Sequence, residues 1–326
     1  MLVLQEGIIK LSDKPSPSSQ SDRPLVTIGL PVRNGASGIR KAVDSLLAQT
    51  YSSIELLIVD NASTDETLAI CEGYAQVDKR VQIFRNHDDI GLNKNLKQVV
   101  SLASGDYFML SAHDDYWHPQ FIETLLDELR DHPECGGAMS AIEMVSELGD
   151  SRMLRFHGKL NPNGAGHTRV LMGVASGTAH HLLIYGLYRR EPFQRAFRSF
   201  PAIPAGDRVF IGLLALTMKF RYVDEPLYVR TTHSLSLRQR YREDPLSGQA
   251  KKPFSRERAV ISLVTTVISS DAVPGIRKLL VVPAAIRFFL MNQDRRLRNS
   301  SLYGMANGTR GYRMARKIWR AFRGGP

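Results

Sequence analysis

Gly105-Asp106-Tyr107-Phe108-Met109-Leu110-Ser111-Ala112-His113-Asp114-Asp115-Tyr116-Trp117 reads as a short buried strand, Tyr107 to Leu110, that ends in two adjacent carboxylates before a helix starts near Pro119. Neighbouring Asp side chains repel each other, so a fold that keeps Asp114 and Asp115 together at a strand end calls for a cation between them. Upstream, short apolar runs alternate with amphipathic segments, the pattern of a parallel sheet wrapped by helices. Strands are expected at Leu25 to Leu30, at Ile54 to Val59 (apolar apart from Glu55) and at Val81 to Phe84. Helices are expected at Ile39 to Gln49, with Ile39, Val43, Leu46 and Leu47 on one face, from Ser63 to about Gln76, and at Leu92 to Ala103. Ser63-Thr64-Asp65-Glu66 predicts a capping box at the second of these.

Downstream, Pro119 opens a helix whose apolar face is Phe121, Ile122, Leu125, Leu126 and Leu129 and which ends near His132-Pro133. Ala138 to Val145 is an expected strand, Leu154 to Thr168 a polar loop, and His181 to Tyr185 a strand. Tyr185-Gly186-Leu187-Tyr188-Arg189-Arg190 is placed to border an acceptor site, with a solvated helix start as the plainer reading of Arg189-Arg190. Ala205-Gly206-Asp207 opens a helix to about Leu216, and Phe220 to Val223 is a further strand.

Hydrophobic residues at 43% and charged residues at 23% of 326 place the chain among soluble α/β proteins rather than fibrous or disordered ones. A net charge of +11 and a pI near 9.7 attract phosphates, whether of nucleotides, nucleic acid or anionic lipid. Cys71 and Cys135 are too few for a disulfide framework and not in a metal-binding spacing, which points to a reducing compartment. Residues 1–23 carry no signal-peptide pattern and read as a flexible leader, followed by a main domain over 24–240. After a charged, Pro- and Gly-interrupted boundary in Arg240 to Ser255, residues 241–326 read as a basic, mainly helical extension. Its apolar stretch Leu279 to Ile286 is too short to span a bilayer. Arg310 to Arg323 holds six cations and no acid; as a helix it gathers Tyr312, Ala315, Ile318, Trp319 and Phe322 on one face, suited to a membrane surface or to docking on its own domain.

Ligands of open parallel sheets bind beyond the carboxyl ends of the strands, so Pro31-Val32-Arg33-Asn34, Asp60-Asn61 and Asp114-Asp115 should converge on one crevice. A carboxylate pair with a cation suits a diphosphate, and Asp or Asn at the second strand suits a base or ribose. Plainer readings exist: Asp114-Asp115 and Asp207 as helix caps, Asp60 as a strand-end residue, Arg33 as a solvated loop cation. Gly35-Ala36-Ser37-Gly38 lacks the G-x-G-x-x-G spacing of a dinucleotide site, and His113, His180, His181 and His233 form no metal cluster on spacing.

At these motifs the sequence resembles the family 2 glycosyltransferases, inverting sugar-nucleotide enzymes of the GT-A fold. The resemblance covers about Pro24 to Arg238 and rests on Leu30-Pro31-Val32-Arg33-Asn34, on Ser45 to Tyr51, on Ile58-Val59-Asp60-Asn61-Ala62-Ser63-Thr64-Asp65 and on Gly105 to Trp117. It implies an α/β fold with a Rossmann-like, mostly parallel central sheet flanked by helices and followed by a C-terminal helical extension. It further implies that Pro31, Arg33, Asp60 and Asn61 line the base and ribose pocket, and that Asp114 and Asp115 hold the donor diphosphate through Mn²⁺ or Mg²⁺. Asp207 matches the catalytic base. The segment Asp224 to Ser236 looks like the one that closes over the donor, and brings His233 into the metal set. Arg33 stands where a Tyr is frequent, Asn61 where many members have Asp, and Ala112 where the acidic motif has its first acid.

The implied activity is inverting transfer from a UDP-, dTDP- or GDP-linked sugar to a hydroxyl of a glycan or polyprenyl-linked acceptor. The implied location is cytoplasmic, peripheral on the inner face of the membrane, with an anionic membrane surface as a partner of the basic C-terminal helix. Nucleic acid is not an expected partner. Two other readings stand beside this one: a non-catalytic basic binding protein on the same fold, and a nucleotidyltransferase, although no Gly-rich phosphate loop with a basic residue follows the first strand.

Overall fold

Apolar runs of Val, Ile and Leu bounded by turn residues become the inner strands of one sheet. In the computed structural model the described residues are 7–11, 23–146, 148–155, 181–201, 206–232 and 256–280. The strands are β1 (Ile8–Lys10), β2 (Val26–Val32), β3 (Ile54–Asp60), β4 (Val81–Asn86), β5 (Tyr107–Leu110), β6 (Tyr116–Trp117), β7 (Cys135–Ser146), β8 (Ser151–Leu154), β9 (Leu187–Arg189) and β10 (Lys219–Thr232). The helices are α1 (Ile39–Leu47), α2 (Thr67–Val77), α3 (Leu92–Leu102), α4 (Phe121–Asp131), α5 (Arg190–Phe197), α6 (Gly206–Thr217), α7 (Arg256–Ser269) and α8 (Gly275–Lys278), with a 3₁₀ turn at His181–Tyr185.

The sheet order is β1-β4-β3-β2-β5-β9-β7-β10-β6, with β8 paired to β7. The block β4-β3-β2-β5 is parallel, β9 runs antiparallel between β5 and β7, and β10 is parallel to β7. The register Val32↔Asp60 and Asp60↔Arg85 brings the carboxyl ends of β2, β3 and β4 level, which gives the crevice one floor. β3 is buried along its whole length, as expected of a strand covered on both faces. Near its start Glu55 accepts from Thr27 Oγ1 (2.5 Å), Gln82 Nε2 (3.0 Å) and Ser104 Oγ (2.7 Å), so the buried carboxylate ties three segments at the amino end of the sheet.

Several expectations change. The capping box does not form: Glu66, which precedes α2, makes no side-chain cap, and the Thr67 N–H donates to Asp65 Oδ1 (3.0 Å). Ser63 Oγ and Asp65 instead accept N–H groups of the loop after β2, which has no ladder partners of its own. His181 to Tyr185 is a 3₁₀ turn, closed by the Tyr188 hydroxyl on the Leu183 carbonyl, and the strand starts only at Leu187. Arg189 is not solvated: its guanidinium donates to the carbonyls of Leu129 (2.7 Å) and Cys135 (3.0 Å) and to the Tyr107 hydroxyl (3.0 Å). Ile8–Lys10, placed in the expected leader, pairs with the outer edge of β4, where two isoleucines find a ladder. The expected strand Phe220 to Val223 extends to Thr232.

Past the expected boundary, α7 and α8 pack on α6. Leu263, Val267 and Val273 are buried in the same core as the strands, Ser199 Oγ donates to Ser270 Oγ (2.9 Å), and Arg277 Nη1 caps the carbonyl of Leu216 (3.1 Å). The expected boundary, most of the Leu279 to Ile286 stretch and the Arg310 to Arg323 helix lie outside the described residues, as do most of the expected leader and most of the Leu154 to Thr168 loop. Among the described residues no helix is long and apolar enough to cross a membrane.

Candidate active site

The loops after β2 and β3 are laced together. Asn34 and Ala62 both have positive φ (50° and 55°), and Asn34 donates its N–H to Ser63 Oγ (3.0 Å) while its Oδ1 accepts from Thr64 N (2.9 Å). Gly35 N donates to Thr67 Oγ1 (2.8 Å). Asp60, fully buried at the end of β3, accepts from Ser63 N (3.1 Å) through Oδ2 and lies 3.7 Å from Arg85 Nε. Its Oδ1 is buried with no hydrogen-bond partner among the described residues.

Asn61 points away from that oxygen. Its Oδ1 accepts from Asn86 Nδ2 and Ile90 N (both 3.1 Å), and its Nδ2 donates to Asp89 Oδ1 (2.5 Å). Asp89 in turn pairs with Arg33 (3.3 Å), and Pro31 in β2 is half-buried. Asn61 therefore fixes the loop between β4 and α3, and Arg33 and Asp89 cover the same corner. Sequence reading missed Asn86 and Asp89; the polar run Arg85 to Asp89 before Gly91 was their signal, but each residue also suits an ordinary turn.

Asp114 and Asp115 sit in the loop between β5 and β6, pressed on the turn after β2. A Cβ on Gly35 would come within 2.6 Å of the His113 ring, and one on Gly38 within 2.8 Å of the His113 carbonyl. Asp114 is half-buried. Asp115 is buried, and both its oxygens face β10: Oδ2 accepts from the Tyr228 hydroxyl (2.5 Å) and Oδ1 from Thr231 N (2.9 Å). Burial, and next the charge of Asp114, push the Asp115 carboxyl up to about 6 against the opposing pull of Tyr228, Arg230 and Thr231. Tyr228 stacks on Trp117 with ring centroids 5.3 Å apart and leans on Tyr185 at 5.5 Å.

Asp207 lies half-buried in the first turn of α6, where an acid complements the helix dipole. Burial raises the Tyr185 hydroxyl; Arg230 pulls it down, and Asp115, Asp207 and Asp114 each push it further up. One phenol thus senses all three carboxylates and the Arg230 cation. Arg230 is held more strongly protonated than usual: burial opposes its charge, and Tyr228, Tyr185, Asp115 and Asp114 outweigh that. His233 lies outside the described residues.

A divalent cation fits this corner in one way. Among the described residues no group of three His, Cys, Asp or Glu side chains could cage a metal. Mg²⁺ and Mn²⁺ sites need not be caged: one or two carboxylates suffice when phosphate oxygens and water complete the shell. Burial raises the Asp115 carboxyl most, and the charge of the adjacent, half-buried Asp114 adds to it; such an ion would relieve that second contribution.

The family model described as Glycosyl transferase family 2 matches residues 27–195. An uncharacterized glycosyltransferase of Rickettsia prowazekii is 41% identical over 102 residues, 31% of this chain and 30% of that protein. The glycosyltransferase GlyG of Streptococcus pneumoniae is 29% identical over 107 residues, 33% of this chain and 36% of that protein. These alignments span about a third of the curated relatives' length. Among solved structures, S. aureus TarS 1-349 in complex with UDP-GlcNAc superposes with a TM-score of 0.60 at 15% identity, covering 88% of this chain and 76% of that one. The likeness is one of fold, the mostly parallel GT-A sheet flanked by helices.

Proposed function

The chain belongs to glycosyl transferase family 2, matched over residues 27–195, and from that membership we propose that it is an inverting, metal-dependent transferase. It moves a sugar from a nucleoside diphosphate donor to a hydroxyl of a glycan or polyprenyl-linked acceptor. The observation that carries this reading is that Asp114, Asp115, Asp207 and Arg230 all act on the one Tyr185 hydroxyl, while at the end of β3 Asp60 holds a buried oxygen without a partner among the described residues. A non-catalytic phosphate binder has no use for three carboxylates acting on one phenol.

In this reading Asp60 Oδ1 accepts from a base N–H or a ribose hydroxyl, Pro31 and Arg33 line the same pocket, and Asn61 shapes it through the Asp89 loop. A divalent Mn²⁺ or Mg²⁺, when bound, neutralises charge on the donor diphosphate. Asp114, the more exposed of the pair, would hold it, with Asp115 next to it bonded to β10; His233, outside the described residues, would be a further ligand. Asp207 takes the proton of the acceptor hydroxyl as that oxygen bonds to the anomeric carbon, and the bond to the diphosphate breaks on the opposite face. Arg230 stabilises the departing negative charge. Two buried thiols suit a cytoplasmic site of action.

A thermal-shift series of nucleoside diphosphates and nucleotide sugars, with and without Mn²⁺, tests the donor site, because a ligand of the folded state raises its apparent stability. Asp207→Asn is expected to keep the donor-induced shift and to lose turnover by about 10³-fold, within the range of general-base removal. Undiminished turnover in that variant would sink the assignment of the base.

A further inference from the structure

We propose that the outer face of α7 and α8 docks on an anionic phospholipid bilayer. Most exposed large apolar side chains among the described residues occur singly or in pairs along the chain. Four of them, Ile261 (54% exposed), Ile268 (56%), Ile276 (76%) and Leu279 (65%), fall in one short stretch. Leu263 and Val267 turn inward to the core, whereas Ile261 and Ile268 lie two helical turns apart on the opposite side. Lys278 Nζ donates to the Ile268 carbonyl (2.7 Å), which brings α8 against that end of α7, and Arg277 Nη1 bonds the carbonyls of Leu216 (3.1 Å) and Thr217 (3.4 Å). The stretch that carries the four exposed side chains therefore stands on a fixed support.

The charge of the adjoining chain decides what covers it. From Arg256 to the C-terminus there are fourteen Lys and Arg against three Asp and Glu, a net +11 that equals the charge of the whole protein; the first 255 residues balance. An aliphatic face followed in sequence by such a concentration of cations matches an anionic bilayer, whose headgroups attract the cations while its interface takes up the isoleucines. A second copy would bring the same +11 against this face. Nucleic acid would meet the cations but offers the isoleucines no apolar partner. The support lies at the end of α6 opposite Asp207, nine to ten residues and so about 15 Å along the helix, and docking there leaves the crevice open.

Flotation of the full-length chain with extruded vesicles tests this. It is expected to float with mixed phosphatidylcholine–phosphatidylglycerol vesicles at about 0.1 M salt, and to be released at about 1 M, where the Debye length falls to about 3 Å. Pure phosphatidylcholine should bind about tenfold less, because the headgroup attraction is gone. The exposed-face variant Ile261→Asp/Ile268→Asp/Ile276→Asp should lose anionic-vesicle binding by about tenfold or more as its apolar contact is removed. Its circular dichroism and its nucleoside-diphosphate thermal shift should stay unchanged. If that variant misfolds, hydrogen exchange on the unmodified chain substitutes, with vesicle-dependent protection expected over residues 261–279. Equal flotation of the variant, equal binding to neutral vesicles, no exchange protection, or a dimer in sedimentation velocity that the variant abolishes would each overturn the proposal. The donor reading stands or falls separately, on the thermal shift.

Discussion

A buried carboxylate oxygen without a partner costs about 1–3 kcal/mol, and Asp60 Oδ1 is such an atom among the described residues. A folded chain keeps it where a ligand satisfies it, so Asp60→Ala should weaken nucleoside diphosphate binding by about tenfold or more, roughly 1.4 kcal/mol, in isothermal titration. Asp65 shows the opposite situation. Burial raises its pKa, but the hydroxyl and N–H of Thr67 and the N–H of Ala36 outweigh burial, so the carboxyl titrates below the usual aspartate range. A folded pKa below the unfolded one contributes stability above the unfolded value that is lost as pH falls through the folded one. Asp65→Asn turns one acceptor oxygen into a donor facing the Ala36 or Thr67 N–H. The exposed site is screened by water, so the expected loss at pH 7 is about 1 kcal/mol, shrinking as denaturation is repeated below about pH 4. A loss independent of pH would show that the carboxylate charge is not what holds this loop. Asp60 was legible in the sequence as a strand-end acid. The inward turn of Asn61 was not, because its partners Asn86, Asp89 and Ile90 lie on another strand's loop.

Elements dominated by local periodicity were legible to within two or three residues, among them β2, β3, α1, α3 and α4. Those made by distant partners were not. β6 is two residues long and exists because Tyr116 and Trp117 pair with Val229 and Tyr228. β8 exists because the chain folds back on β7, and Arg189 reads as solvated until Leu129, Cys135 and Tyr107 surround it. The same dependence on neighbours explains Gly29 inside β2: a Cβ there would stand 2.3 Å from Val99 Cγ1 and 2.9 Å from the Phe108 ring, so the glycine lets α3 lie close on the sheet. Gly29→Ala should therefore cost about 1–3 kcal/mol by overpacking, read as a lower denaturation midpoint with an unchanged slope. A neutral result would mean that α3 moves away at no cost.

At the scale of the molecule, the family match ends at residue 195, yet the core does not. Phe210, Leu213 and Leu214 of α6 and Leu263 and Val267 of α7 belong to one buried cluster with the strands, and Arg277 closes the far end of the helix that begins at Gly206-Asp207. The residue proposed as base thus depends on a segment that sequence composition assigns to a separate extension. A docked segment sharing a core unfolds with it, whereas an independent appendage melts alone. Val267→Ala removes two methyl groups from a site with no exposure and should cost about 1–2 kcal/mol. One calorimetric transition is expected, lowered by about 2 °C or more, together with the unfolding reported by a donor-bound probe. Two transitions, of which only the smaller shifts in Val267→Ala, would assign 256–280 to a unit of its own and leave the seating of Asp207 to α6 and the sheet.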